Sequence, residues 1–153
     1  MSKVLVAYFS EGGSTEMMAQ YIGEGIRIAG AEATLMDIAN QDAHGGLNRY
    51  SGFVFGAPTY SLDMPEEMRD FLNSLDKTLL KGKPAGAFGS YAHDVAYGHE
   101  NLAPEKMLEL VESRGMNRFQ LGPLILKASQ VSGREGIRGC QQYGEEFARQ
   151  LPA

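Results

Sequence analysis

A single cysteine, Cys140, stands in 153 residues, so neither a disulfide framework nor a Cys-based zinc site can be built. Nowhere do apolar residues run for the ~18 positions that a membrane-spanning helix needs. The amino terminus also lacks the charged-then-apolar pattern of a secretory leader, so a cytoplasmic location is expected. Basic charge is scarce: 14 Lys and Arg face 19 Asp and Glu, for a net charge of −5. Such a balance argues against nucleic acid as the main partner, because binding a phosphate backbone requires a basic face. With 43% hydrophobic and 22% charged residues, the chain has the composition of an ordinary globular protein rather than a disordered one. Glycine is in excess, at 19 residues, with no collagen-like period. What those glycines do is the question the sequence poses.

Short apolar runs alternate with helical patterns. Val4–Phe9 reads as a strand buried on both faces, which suggests a parallel sheet. Met18, Ile22, Ile26 and Ala29 recur at helical spacing from Ser14 onward, and Gly30 stops that helix. Ala33–Met36 is a second strand, residues 38–48 a loop, and Phe53–Gly56 a third strand. Pro65-Glu66-Glu67 opens a helix whose stripe is Met68, Phe71, Leu72, Leu75 and Leu79. Ala85–Phe88 is a fourth strand, Leu102–Arg114 a helix closed by Gly115, and Leu121–Leu126 a fifth strand. Ile137, Cys140, Gly144, Phe147 and Leu151 mark a final docked helix, with Cys140 read as core. With no linker and no internal repeat, residues 1–153 read as a single α/β domain, a doubly wound parallel sheet with helices on both faces. Ligands in such sheets bind beyond the carboxyl ends of the strands, which directs attention to three loops.

The first loop is Ser10-Glu11-Gly12-Gly13-Ser14-Thr15. Glycines let backbone N–H groups converge on an anion, the helix N-terminus adds partial positive charge, and the hydroxyls donate further bonds. It has no lysine, so it is not a Walker A loop, and no G-x-G-x-x-G, although Asp37 stands where a ribose-binding acid would sit. A hydroxyl-rich loop without a cation suits one terminal phosphate monoester. In the plainer reading, Gly12-Gly13 only permits the turn and Ser14 caps the helix. The second loop, Ala57-Pro58-Thr59-Tyr60-Ser61-Leu62, holds an aromatic residue where a flat ligand could stack. The third, Gly89-Ser90-Tyr91-Ala92-His93 through Tyr97-Gly98, supplies two more. A phosphate cradle with aromatic walls describes a mononucleotide with a planar ring. His93 and His99 flank the third loop without a third ligand at metal spacing, His44 lies in a polar loop, and neither a metal nor a catalytic residue is assigned.

The run Tyr8-Phe9-Ser10-Glu11-Gly12-Gly13-Ser14-Thr15-Glu16 resembles the phosphate loop of the flavodoxin family. Gly56-Ala57-Pro58-Thr59-Tyr60 and Phe88-Gly89-Ser90-Tyr91 are similar to that family's second and third flavin-binding loops, and the likeness covers essentially the whole chain. The resemblance implies a five-stranded sheet in the order 2-1-3-4-5, with the uninterrupted fifth strand of the short-chain branch. It also implies non-covalent FMN and electron transfer between partner proteins by a monomer or weak dimer. Tyr60 would flank the inner side of the ring. The outer side falls to Tyr91, which fits a Gly-Ser-Tyr reading, or to Tyr97, which fits the spacing to Asn101.

Some residues depart from the family's pattern. Flavodoxins typically carry threonine where Gly12 stands and asparagine where Ser14 stands, so one phosphate hydroxyl is lost, worth ~0.5–1.5 kcal/mol. In the family a peptide near flavin N5 turns over on reduction, often at glycine. Ser61 and Leu62 occupy that stretch here, where positive φ costs on the order of 1 kcal/mol, implying a less stabilised one-electron-reduced flavin. A charge of −5 is modest for the family and weakens electrostatic steering of partners, while Lys77, Lys81 and Lys83 read as a solvated helix end. Two other functions compete with the electron carrier: an FMN-dependent NAD(P)H:quinone-type reductase on the same fold, and a non-redox module that has lost FMN.

Overall fold

The computed structural model describes residues 2–40, 46–59, 63–91 and 102–151. Strand β1 (Lys3–Tyr8) lies in the middle of a parallel sheet, with β2 (Glu32–Asp37) on one side and β3 (Gly52–Gly56) on the other. Next comes β4 (Pro84–Tyr91), and the far edge is shared by β5 (Asn117–Arg118) and β6 (Leu124–Lys127). The order is therefore the expected 2-1-3-4-5, with the fifth position filled by two segments in succession. Helices α1 (Ser14–Ile28) and α5 (Arg134–Arg149) cover one face. The other carries α2 (Glu66–Ser74), the short α3 (Lys77–Leu80) and α4 (Ala103–Ser113).

Side-chain alternation along β1 explains the two layers. Leu5, Ala7 and Phe9 join Phe53, Phe55 and Ala85 beneath Met68, Leu72, Met107 and Leu108. Val4, Val6 and Tyr8 join Val54 and Phe88 beneath Met18, Ile22, Ile26, Cys140 and Phe147. Both faces of the central strands are thus dry, as their unbroken apolar runs require. Cys140 is fully buried, as read from its place on the apolar stripe, and burial pushes its thiol up to about 12.

Two elements differ from the sequence reading. The stripe from Met68 to Leu79 belongs to two helices, because Leu75 is extended (ψ 140°) and Asp76 starts a new turn by accepting the Thr78 N–H at 2.9 Å. The Leu75 carbonyl freed by that break is taken by the Arg114 guanidinium. The fifth strand is also interrupted. After Phe119 bonds to the Ala85 carbonyl (2.9 Å), the chain turns through Gly122 at φ +72° and rejoins the edge only at Leu124. Pro123 lacks a ladder donor, and a positive φ at residue 122 is inexpensive only for glycine.

The interruption leaves the outer edge of β4 without a strand partner at Ala87. The hydroxyl of Tyr143, on α5, takes that place. Its oxygen accepts the Ala87 N–H at 3.1 Å, and its proton is shared between the carbonyls of Gly122 (2.7 Å) and Ala87 (3.1 Å). Burial raises the Tyr143 pKa, so the hydroxyl keeps the proton it donates. A buried backbone pair that would otherwise be orphaned is satisfied by a side chain 56 residues away.

Helices α1 and α5 meet backbone to backbone. A Cβ on Gly25 would lie 1.9 Å from the Gln141 carbonyl oxygen, and one on Gly144 would lie 2.1 Å from that of Ile22. Gln141 and Glu24 bond beside the crossing at 2.9 Å. By contrast, a Cβ on Gly139, also in α5, meets nothing within 4 Å. Gly25→Ala is accordingly expected to cost ~1–3 kcal/mol or more through overpacking. Gly139→Ala should gain ~0.5–1 kcal/mol from helix propensity. Urea unfolding of the two variants beside the parent checks both signs.

Candidate functional site

Strand β1 delivers the first loop to the carboxyl edge. The Phe9 N–H still bonds to the Gly56 carbonyl (2.9 Å), and Ser10 then leaves the sheet. Its Oγ accepts the N–H of Gly13 (3.2 Å) and that of Glu16 (3.4 Å), fastening the loop to the first turn of α1. Gly13 is the N-cap, at φ +89°, and the first helical bond runs from the Met17 N–H to its carbonyl (3.0 Å). Ser14 is therefore the first helical residue rather than the cap, and the capping oxygen comes from Ser10 instead. Among the described residues, no acceptor takes the Ser10 hydroxyl proton.

Inside this loop, donors outnumber their partners. The backbone N–H groups of Gly12, Ser14 and Thr15 make no hydrogen bond to the described residues. Such orphan donors are what a helix start offers an anion. Thr15 is only 2% exposed, and its hydroxyl likewise has no described partner. A Cβ on Gly12 or Gly13 would meet nothing within 4 Å, so the loop borders open space rather than packed protein. Donors and a hydroxyl without a described partner, around an open glycine cradle, fit a phosphate group. No lysine or arginine lies between Ser10 and Gln20, so helix dipole and neutral donors would have to serve in place of a cation.

Behind the loop, the Tyr8 hydroxyl donates to Glu16 Oε1 at 3.2 Å. Burial, then the nearby Glu16 charge, pushes the Tyr8 hydroxyl up to about 12, so it remains a donor throughout the neutral range. The sequence reading passed over this pair. Its only signal is the eight-residue spacing from the end of a strand to the first turn of the following helix.

The second and third loops leave the sheet side by side. Past β3, the Ala57 N–H bonds to the Phe88 carbonyl and the Thr59 N–H to the Ser90 carbonyl, each at 3.2 Å, so the parallel ladder continues beyond its strand. A Cβ on Gly89 would lie 2.1 Å from the Ala57 carbonyl oxygen, and one on Gly56 would lie 2.1 Å from the Phe88 ring. Gly56, assigned in the sequence to a ring-binding loop, thus makes room for a core phenylalanine. Ala57 is buried, Pro58 and Thr59 are half-buried, Ser90 is 5% exposed and Tyr91 is half-buried. Beyond the second loop, Asp63 is held by Arg69 at 2.5 Å.

The structure therefore brings Ala57, Pro58 and Thr59 next to Gly89, Ser90 and Tyr91, at the same sheet edge as Ser10–Thr15. Tyr60, Ser61, Leu62, Ala92, His93, Tyr97 and Gly98 lie outside the described residues, as do Asn101, His99 and His44. Among the described residues no group of three or more His, Cys, Asp or Glu could hold a metal ion, and no helix is long and apolar enough to cross a membrane.

Known proteins resemble this chain in sequence and in fold. The flavodoxin family pattern matches residues 6–146. A flavodoxin of Clostridium saccharobutylicum is 30% identical over 148 residues, which is 96% of this chain and 91% of that protein. The crystal structure of oxidised flavodoxin 1 from Bacillus cereus superposes with a TM-score of 0.79 at 30% identity, covering 99% of this chain and 100% of the other. A longer protein matches too: flavo-diiron protein FprA2 of Clostridium acetobutylicum is 27% identical over 95% of this chain, which spans 36% of it. The pattern match over most of the sequence, on a 2-1-3-4-5 sheet with an open glycine cradle at its first loop, shows that this chain belongs to the flavodoxin family of FMN-binding electron-transfer proteins.

Proposed function

We propose that Ser10, Glu11, Gly12, Gly13, Ser14 and Thr15 hold the phosphate of FMN, and that the segments 57–62 and 89–93, with Tyr97 and Gly98, hold its ring. The observation that carries the assignment is the set of N–H groups of Gly12, Ser14 and Thr15, without partners among the described residues, around open space at the start of α1. FMN supplies the redox chemistry when bound. The chain's residues bind, orient and shield it: Ser10 fixes the phosphate loop, and backbone groups of residues 57–59 and 89–91 meet the polar edge of the ring. No side chain is required as acid or base for electron transfer.

On this reading the protein is a carrier between a reductase and an acceptor in the cytoplasm. The family match favours neither the NAD(P)H:quinone-type reductase nor the cofactor-free module. Quenching of flavin fluorescence on adding the apoprotein tests the cofactor assignment. FMN should bind at least ~100-fold more tightly than riboflavin, because only FMN engages donors worth ~1.5–3 kcal/mol each to a charged group. Equal affinity for the two would contradict the phosphate assignment. The holoprotein should accept electrons from a flavoprotein reductase without itself sustaining NAD(P)H oxidation by a quinone.

Gly12 supplies a second test. It has no left-handed backbone, and its Cβ position is open, so a side chain fits there. Gly12→Thr should tighten FMN roughly 2- to 10-fold by adding one hydroxyl, ~0.5–1.5 kcal/mol, and leave riboflavin affinity unchanged. Titration of both flavins against both proteins decides it.

A further inference from the structure

Thr59 occupies a junction that ligand contact does not account for. Its backbone N–H bonds to the Ser90 carbonyl at 3.2 Å, where β4 enters the third loop. Its Oγ1 accepts the N–H of Ala103 at 3.0 Å, where the chain leaves that loop as α4. Leu102 is the N-cap of α4 and offers no side-chain cap, so an orphan donor of this helix is satisfied by a threonine 44 residues away in sequence. Leu102, Ala103 and Pro104 are all buried, so water does not readily replace that acceptor.

A second observation places the same three segments together. A Cβ on Gly89 would lie 2.1 Å from the Ala57 carbonyl oxygen and 3.0 Å from Pro104 Cγ. The end of β3, the end of β4 and the start of α4 therefore meet at Gly89, and Thr59 bonds across the same meeting point. One residue ties the root of the second loop to both roots of the third.

We propose that Thr59 is a positioning residue. It sets residues 57–59 in register with residues 89–91 and with the start of α4, and so fixes the backbone groups that meet the flavin ring. The inference rests on the assignment of those segments to the ring. It makes the Thr59 hydroxyl a structural acceptor, with its own proton left to donate, rather than primarily a flavin ligand.

Thr59→Val keeps the shape of the side chain and removes the acceptor, while Thr59→Ser keeps the acceptor. With Thr59→Val, FMN and riboflavin affinities should fall together by about tenfold, because the ring and not the phosphate is misplaced. The visible circular dichroism of bound FMN should change and its midpoint potential should shift. Thr59→Ser should restore all three. If Thr59→Val does not fold, as judged by the far-ultraviolet spectrum of the apoprotein, Thr59→Ala serves as the hydroxyl-free variant. An affinity, dichroism and potential like the parent's in the hydroxyl-free variant would overturn the inference, as would a serine variant no better than valine. Parent protein that takes up neither flavin would overturn the ring assignment as well, whereas parent binding with an unaffected variant overturns the positioning role alone.

Discussion

The carboxyl edge of this sheet depends on how closely residues 56–59 run beside residues 88–90. The Phe88 ring lies where a Cβ on Gly56 would be, and the Ala57 carbonyl lies where one on Gly89 would be. Neither approach survives a side chain larger than hydrogen. Given both, the parallel ladder extends two bonds past β3, and the second and third loops start from adjacent points. The same proximity admits Pro104 and hence the start of α4. The roots of the second and third loops are thus anchored at one packed junction in the core.

The first loop, as the proposed phosphate site, poses a different problem: an anion would have to be held in an acidic protein without a cation. Its means are geometric. Ser10 Oγ gathers two backbone donors, Gly13 turns the chain into α1, and the N–H groups of Gly12, Ser14 and Thr15 find no partner among the described residues. Behind the loop, Tyr8 stays protonated across the physiological range and holds Glu16. A cradle of backbone amides and hydroxyls keeps its charge state as pH changes, so affinity in the neutral range should follow the ligand's own phosphate ionisation more than the protein's.

Much of this was legible in the sequence, for reasons that can be named. The doubly buried strands and the stripe through Met18, Ile22 and Ile26 are hydrophobic-period signals, and the structure follows them closely. Glycines before a helix, with hydroxyls and no lysine, are the pattern expected of an anion cradle, and the structure gives that segment an open glycine turn at the start of α1. Hydrophobic pattern could not reveal the break at Leu75, since residues on either side keep their apolar stripe while one ψ changes. Nor could it place the interruption of the fifth strand, where the signal is only Gly122-Pro123 and the compensation comes from Tyr143, distant in the chain. Thr59 and Ala103 are invisible as a pair for the same reason: a long-range side-chain cap has no local pattern. Glycine turned out to serve two ends. Gly12 and Gly13 border open space, whereas Gly25, Gly56, Gly89 and Gly144 face atoms that a Cβ would strike.

The central claim is that FMN is held by three segments brought together at one sheet edge. Two-dimensional amide NMR of the isotopically labelled protein, with and without FMN, tests it most directly. The largest shifts are predicted at the amides of Gly12 to Thr15, at Ala57 and Thr59, and at Gly89 to Tyr91. The groove between Leu121 and α5 should remain unperturbed, as should the far end of the sheet around Lys3 and Lys83. Shifts confined to those distant regions, or absent from the first loop, would contradict the account.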